Sequence, residues 1–392
     1  LRIEDTDKVR SKGEYLNEIL ESLRWLGLNW DGEPYFQSKR IDLYNTYAKK
    51  LLSARFAYEK EGAIYFKMPP MKLKINDIVH GDIEFDTSLI KDQVIIKSDG
   101  MPTYNFACVI DDADMKITHI IRGDDHISNT PKQVVIYNAL KIDLPKFCHI
   151  PLILGLDRSR LSKRHGATSI RDYRQEGFLP QGLVNYLCLL GWSPGTGEEI
   201  MPIQEVIKKF SLKNISKTAT VFDINKLQWM NSEYIRAMDT TKLTDLIIDA
   251  LRKENLLPEK FDRIWVQDIV KLFKERIKTI YDFVDLTSYF FKDDFEYDAD
   301  GVKRFFTSDL KDIFLKLIDR LKALDNFDAA SIEEAVRSLA DELGVKAAKL
   351  IHPTRLALTG RTGGAGLFET ACLLGKDKAL KRLDAVLSKF FN

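Results

Sequence analysis

Between Thr118 and Leu154 the chain repeats one rhythm: a short apolar run, a polar turn, a helix and a second apolar run. Thr118 to Ile121 reads as a strand that ends at Arg122-Gly123-Asp124-Asp125. Thr130-Pro131-Lys132-Gln133 then offers an N-cap, a proline in the first turn and a capping Gln. A helix to Leu140 follows, and Phe147 to Leu154 reads as the next strand. Strand, turn, helix, strand is the pattern of a parallel α/β sheet, which takes ligands at the C-terminal ends of its strands. Three segments fall at that edge: the acidic turn after Ile3, the turn at Arg122 and the loop after Leu154.

The rest of the chain frames this unit. Leu1 to Ile3 reads as the end of a buried strand, and Ser11-Lys12-Gly13-Glu14 as a capping box. Leu16, Ile19, Leu20, Leu23 and Leu26 keep helical spacing up to Gly27, and a second helix covers Ile41 to Leu52. Ile64-Tyr65-Phe66-Lys67, Asp82-Ile83-Glu84-Phe85 and Val94-Ile95-Ile96-Lys97 read as short strands. From Gly166 onward strands are scarce. Leu183–Leu190, Lys242–Lys253, Trp265–Lys278, Leu310–Leu324, Ser331–Leu343 and Lys376–Phe391 read as amphipathic helices. Residues 281–300 hold seven acidic residues and one Lys, and read as a solvated acidic connection. The fold class is therefore α/β, with a parallel-sheet first half, an inserted mixed segment and an all-helical second half.

Composition narrows the function. The 392 residues carry 59 Lys+Arg against 58 Asp+Glu, so any basic surface is local. No apolar run approaches the ~20 residues a membrane helix needs. Cys108, Cys148, Cys188 and Cys372 are far apart and form no metal-ligand spacing. So few cysteines in so long a chain fit free thiols in a reducing cytoplasm.

The sharpest segment is Asp157-Arg158-Ser159-Arg160-Leu161-Ser162-Lys163-Arg164-His165-Gly166. Residues 157–174 contain six Arg/Lys and two Asp. A basic loop after a strand suits a polyphosphate, whose developing charge Lys, Arg and Ser neutralise. Leu161-Ser162-Lys163-Arg164 resembles the Lys-Met-Ser-Lys-Ser signature of class I aminoacyl-tRNA synthetases, and the run to Ala167 resembles its form in bacterial-type glutamyl-tRNA synthetases. Further segments match that family in order: Leu1 to Asp7, Trp25 to Asp31, Gln37 to Arg40, Asp99 to Ala107, Arg122 to His126, and Arg355 to Arg361. The resemblance spans nearly the whole chain.

The resemblance implies a class I Rossmann-like catalytic domain and the substrates ATP (with Mg²⁺), L-glutamate and tRNA, while the cysteine spacing predicts no protein-held metal. Glu4 aligns with the acid on the substrate ammonium. Arg122 and Tyr104 align with groups on a substrate carboxylate, where a guanidinium can fork bidentately. Asp125, Ile153, Arg160, Leu161, Ser162, Lys163 and Arg164 align with the ATP site, Ile153 through its backbone. Ser162, Lys163 and Arg164 are the expected catalytic residues. Asp7, Arg355 and Arg361 align with tRNA contacts. Residues 350–392 hold seven Lys/Arg against three Asp/Glu, an excess suited to phosphates.

The implied layout is residues 1–58 as the first part of the catalytic domain and 59–98 as an inserted acceptor-end segment. Residues 99–166 form its second half with the phosphate loop, 167–255 a helical stem-contact linker and 256–392 the anticodon-binding region. A cytoplasmic monomer is expected. Two features depart from the family. The His-Ile-Gly-His-like first signature is absent, and the stretch Arg55 to Tyr65 is much shorter than its counterpart. They raise the expectation of an intact polypeptide several kDa heavier. A non-catalytic tRNA-binding fragment or relative is the alternative. The helical end disfavours a tRNA-base-modifying relative, which lacks it, and a glutaminyl enzyme, which ends in β-barrels.

Overall fold

The computed structural model describes residues 1–6, 13–162 and 169–391. Asp7, Ser11, Lys12, Lys163 and Arg164 lie outside the described residues. The chain forms two compact units, residues 1–175 with 180–230, and 176–179 with 231–392.

The first unit runs β1 (Arg2–Ile3), α1 (Gly13–Trp25), β2 (Tyr35–Phe36), α2 (Ile41–Ser53), β3 (Ala57–Lys60), β4 (Ala63–Phe66), β5 (Lys72–Asp77), β6 (Gly81–Asp86) and β7 (Gln93–Ile96). It continues with α3 (Tyr104–Asp114), β8 (His119–Gly123), α4 (Thr130–Leu140), β9 (Lys146–Ile150), β10 (Ile153–Leu154), α5 (Ile170–Gln175), α6 (Pro180–Leu189), α7 (Ile203–Lys209), β11 (Thr220–Val221) and the start of α8 (Ile224–Ala237). Its main sheet has the order β6-β5-β9-β8. The pairs β8/β9 and β5/β9 are parallel, and only β6 runs against them. β1/β2 and β10/β11 are further parallel pairs.

Local sequence explains most of these elements. In β5, Leu73, Ile75 and Asp77 face inward and alternate with exposed Lys72, Lys74 and Asn76. This strand was not among those read from the sequence. Neither was α3, because residues 106–112 are buried on every side and leave no polar stripe. The expected strand Phe147–Leu154 is two strands, β9 and β10, interrupted at Pro151-Leu152 because proline has no N–H for a ladder. Tyr44, Leu51, Phe106, Ile110, Val135, Tyr137 and Phe147 join α2, α3, α4 and β9 in one core. β3 and β4 are closed by Glu61-Gly62, with φ of 53° and 77°, the two left-handed residues of a tight hairpin turn.

The second unit is helical: α9 (Thr240–Lys253), α10 (Arg263–Phe273), α11 (Ile280–Phe291), α12 (Ala299–Phe305), α13 (Leu310–Lys322), α14 (Ala329–Glu342), α15 (Ala348–Thr359), α16 (Leu367–Leu374) and α17 (Lys376–Phe390). The acidic connection expected over 281–300 is corrected here, since its first half is α11. Ile280, Phe283, Val284, Thr287 and Phe290 are buried at helical spacing. Asp282 closes a capping box with Thr279 instead of standing in solvent. Charge counts hid the apolar period.

Gly360 ends α15 with φ +73°, and a Cβ there would lie 2.3 Å from the Glu296 carbonyl oxygen. Left-handed strain and overlap with backbone act together. Gly360→Ala is expected to destabilise this unit by about 2–3 kcal/mol. Urea unfolding measures it, and a loss below ~0.5 kcal/mol contradicts the assignment.

Candidate active site

The site is built at the C-terminal strand edge. β1 delivers Glu4, and the turn behind it is pinned by Asp5, whose carboxylate accepts from Ser38 N at 2.8 Å and Ser38 Oγ at 2.6 Å. Glu4 Oε1 accepts from Arg2 Nη2 at 3.0 Å and lies 3.4 Å from Cys108 Sγ on α3. Arg2 Nη1 in turn donates to Asp112 Oδ1 at 2.6 Å, which anchors β1 on α3. Tyr104 opens α3, and its hydroxyl lies 3.2 Å from His126 Nδ1. Burial, with Cys108 and Glu4 beside it, pushes the Tyr104 phenol well above its ordinary range, while Arg122 opposes the shift. The phenol therefore stays protonated and able to donate. Burial also raises the Cys108 thiol far above its usual value, so it is no nucleophile at neutral pH.

Arg122 is the penultimate residue of β8 and is half-buried. Its Nε donates to His149 Nε2 at 3.1 Å, Nη1 to Gln133 Oε1 at 2.8 Å and Nη2 to Thr130 Oγ1 at 2.7 Å. These three acceptors are neutral, and among the described residues no carboxylate pairs with this guanidinium. Burial lowers its pKa. The structure thus corrects the capping role expected for Thr130 and Gln133. Asn129 is the N-cap of α4 and gives no side-chain cap, while both of the expected capping side chains turn to Arg122.

A second group of polar side chains lies next to it. Asp125 Oδ2 accepts from Arg160 Nη2 at 3.1 Å, and His80 Nε2 lies 2.8 Å from Asp124 Oδ1. Gly123 allows this turn, since a Cβ there would meet Asp125 Oδ1 at 2.6 Å. β10 folds back on Arg160-Leu161: Leu161 N donates to Ile153 O at 3.1 Å, and Asp157 Oδ1 holds the turn through Ser159 N and Oγ at 2.9 and 2.7 Å. A 510 Å³ cavity opens there, lined by Gly123, Ile153, Arg160, Leu161, Cys188 and Trp192 among others. That volume suits a nucleotide-sized ligand. Ser162 ends the described part of the loop.

The structure thus groups Glu4, Tyr104 and Arg122 in one cluster and Asp125, Ile153, Arg160 and Leu161 in a second beside it. In the helical unit, Arg355 is half-buried and its Nη1 bonds the Ala365 carbonyl. Arg361 bonds the Asp285 carbonyl and lines a separate 500 Å³ cleft with Tyr289, Lys292 and Thr359. Sequence reading missed Arg2, His126, Thr130, Gln133 and His149 as members of the site.

The catalytic-domain model of the class I tRNA synthetases (E and Q) matches residues 1–64 and 59–229. The chain belongs to that family. An anticodon binding domain model matches residues 242–387. Glutamate--tRNA ligase 1 of Caldanaerobacter subterraneus subsp. tengcongensis is 43% identical, over 99% of this chain and 90% of that protein. Glutamate--tRNA ligase 2 of Thermoanaerobacter pseudethanolicus is 42% identical over the same shares. A crystal structure of a glutamate tRNA ligase from Elizabethkingia meningosepticum, in complex with its amino acid, superposes with a TM-score of 0.87 at 28% identity, covering 100% of this chain and 92% of that one.

The class I synthetase fold places the strand-edge clusters where a parallel sheet takes its ligands. The first relative aligns over 432 positions against 392 residues here, so at least 40 positions face a gap in this chain. The two pieces of the catalytic match meet between residues 59 and 64, at the Glu61-Gly62 hairpin turn.

Proposed function

We propose that this chain joins L-glutamate to the 3′ end of tRNA using ATP. The glutamate α-carboxylate attacks the α-phosphorus, the bond to pyrophosphate breaks, and glutamyl-adenylate forms. A terminal ribose hydroxyl of tRNA, the 2′-OH in this class, then attacks the acyl carbon, and AMP leaves. No protein nucleophile takes part, so the chain contributes positioning and electrostatics. The observation that carries this reading is Arg122: a guanidinium at a strand end, held by neutral groups beside Tyr104 and Glu4. In the proposal it takes a carboxylate of glutamate, with the Tyr104 hydroxyl donating to the same group and Glu4 holding the ammonium.

Asp125, Ile153, Arg160, Leu161 and Ser162 bound the nucleotide, with Lys163 and Arg164 completing the phosphate loop on the strength of the sequence resemblance. Lys163 is the principal cation for the α-phosphate, with Ser162 and Arg164 beside it. Mg²⁺ offsets charge on the phosphates when bound. Asp7, Arg355 and Arg361 are proposed tRNA contacts, Arg355 by shaping the 361–366 loop through its bond to Ala365. Among the described residues no helix is long and apolar enough to cross a membrane. The working form is proposed to be a cytoplasmic monomer.

The test is incubation with ATP, Mg²⁺, labelled glutamate and bulk tRNA. Alkali-labile label on tRNA, dependent on ATP, is expected. A folded protein that binds tRNA yet transfers no glutamate contradicts the proposal and favours a non-catalytic tRNA-binding role.

A further inference from the structure

His149 has no part in the mechanism above, yet it is one of the most buried polar residues of the unit, 1% exposed, and it touches the substrate-facing arginine. It lies on β9 directly opposite Arg122 on β8. Arg122 Nε can only donate, so His149 Nε2 must offer its lone pair. The ring proton therefore sits on Nδ1 and is donated to Asp77 Oδ2 at 2.7 Å. Asp77, 2% exposed, sits where β5 joins β9. It accepts as well from Val79 N at 2.9 Å, His80 N at 3.0 Å and His149 N at 3.1 Å. Phe147 stacks near the imidazole at 6.3 Å. The Thr130 hydroxyl, 3.1 Å from Nε2, ties the ring to the second guanidinium nitrogen.

Two physical consequences follow. The buried carboxylate fixes one imidazole tautomer, since the bond at one ring nitrogen decides the role of the other. Burial lowers the His149 pKa below its ordinary value despite Asp77, with Arg122 pushing the same way, so the ring stays neutral. The cation is then positioned on three sides without being neutralised. Three of the five guanidinium hydrogens are engaged by these acceptors, and the others, with the Tyr104 side chain beside the guanidinium, remain for an incoming carboxylate. A carboxylate in place of His149 would satisfy Arg122 and compete with the substrate.

We propose that His149, with its tautomer fixed by Asp77, is a positioning residue that aims Arg122 at a carboxylate of glutamate while leaving its charge free. This rests on the reading of Arg122 given under Proposed function.

Two substitutions separate the two ends of the ring. His149→Asn keeps a donor near Asp77 but removes the acceptor for Arg122. His149→Gln places an amide oxygen near the Nε2 position and keeps that acceptor. The KM for glutamate in tRNA charging is expected to rise about tenfold in His149→Asn. The KM for ATP should stay within about threefold, and His149→Gln should stay within about threefold for glutamate. Unchanged ATP saturation also shows that the variants fold. Arg122→Gln, measured alongside, distinguishes the two ideas. A raised glutamate KM in Arg122→Gln but not in His149→Asn overturns the positioning role alone. No change in either overturns the reading of Arg122 and the inference with it. An equal rise for glutamate and ATP in both His149 variants also overturns it, because it marks a merely structural residue.

Discussion

Arg122→Gln should raise the KM for glutamate by about thirtyfold to several thousandfold, with the KM for ATP changed far less. Arg122 is held by His149, Gln133 and Thr130 and pairs with no acid among the described residues, so its charge is free for a ligand. Removing one member of a desolvated, hydrogen-bonded charge pair costs about 2–5 kcal/mol, because the other charge is left without a partner. Gln removes the charge and both terminal nitrogens and keeps an amide donor only near the Nε position, so the loss reports on the charged fork. Arg122→Lys should recover only part of it, because an ammonium cannot reach three fixed acceptors and still present a fork. Steady-state charging at varied glutamate and saturating ATP measures the effect. A glutamate KM within about threefold of the parent would remove Arg122 from the substrate site.

Arg382→Leu should cost the helical unit about 3–5 kcal/mol. Arg382 lies on α17 and is only 5% exposed. Its Nη1 bonds the Leu358 carbonyl, and its Nη2 donates to the carbonyls of Tyr289 at 2.6 Å and Lys292 at 3.2 Å. Those carbonyls sit in the last turns of α15 and α11 and just beyond, where helices leave acceptors without intrahelical partners. A cation there also meets the negative ends of two helix dipoles. The Phe295 ring covers the guanidinium at 4.6 Å. Asp293 Oδ1 at 3.7 Å is the sole acid near it among the described residues, and it also serves Lys378 and Lys381. Leu fills much of the space but strands three carbonyls, each worth about 1–3 kcal/mol when buried unsatisfied. For a unit of this size the expected fall in Tm is about 6–20 °C. Thermal unfolding followed by circular dichroism measures it, and a fall under about 2 °C contradicts the capping role.

The two kinds of site residue differed in how legible they were. Glu4, Tyr104 and Arg122 were singled out by the short ordered motifs of the family resemblance, and the strand-turn-helix rhythm put the turns after Ile3 and at Arg122 on one edge, whereas the helix that Tyr104 opens was not read. His149, Thr130 and Gln133 were not. Thr130 and Gln133 have the spacing of a capping box, and only the packing of α4 beside Arg122 shows that their side chains serve the guanidinium. His149 lies within an apolar strand, where a buried imidazole looks like core until Asp77 arrives from β5. That encounter joins residues 72 positions apart and leaves no local pattern. In the helical unit the misreading of 281–300 came from counting acids. Asp282 and Asp285 share a helix with Phe283 and Phe290, and periodicity decided the structure.

The measurement that bears most directly on the account offers the protein ATP, bulk tRNA and equal concentrations of glutamate and glutamine carrying different labels. A neutral cradle around an unpaired guanidinium favours a carboxylate over an amide, so tRNA should carry the glutamate label almost alone. Comparable incorporation of glutamine, or transfer of neither amino acid by protein that remains folded, would contradict the assignment of Arg122 and the glutamate-ligating function built on it.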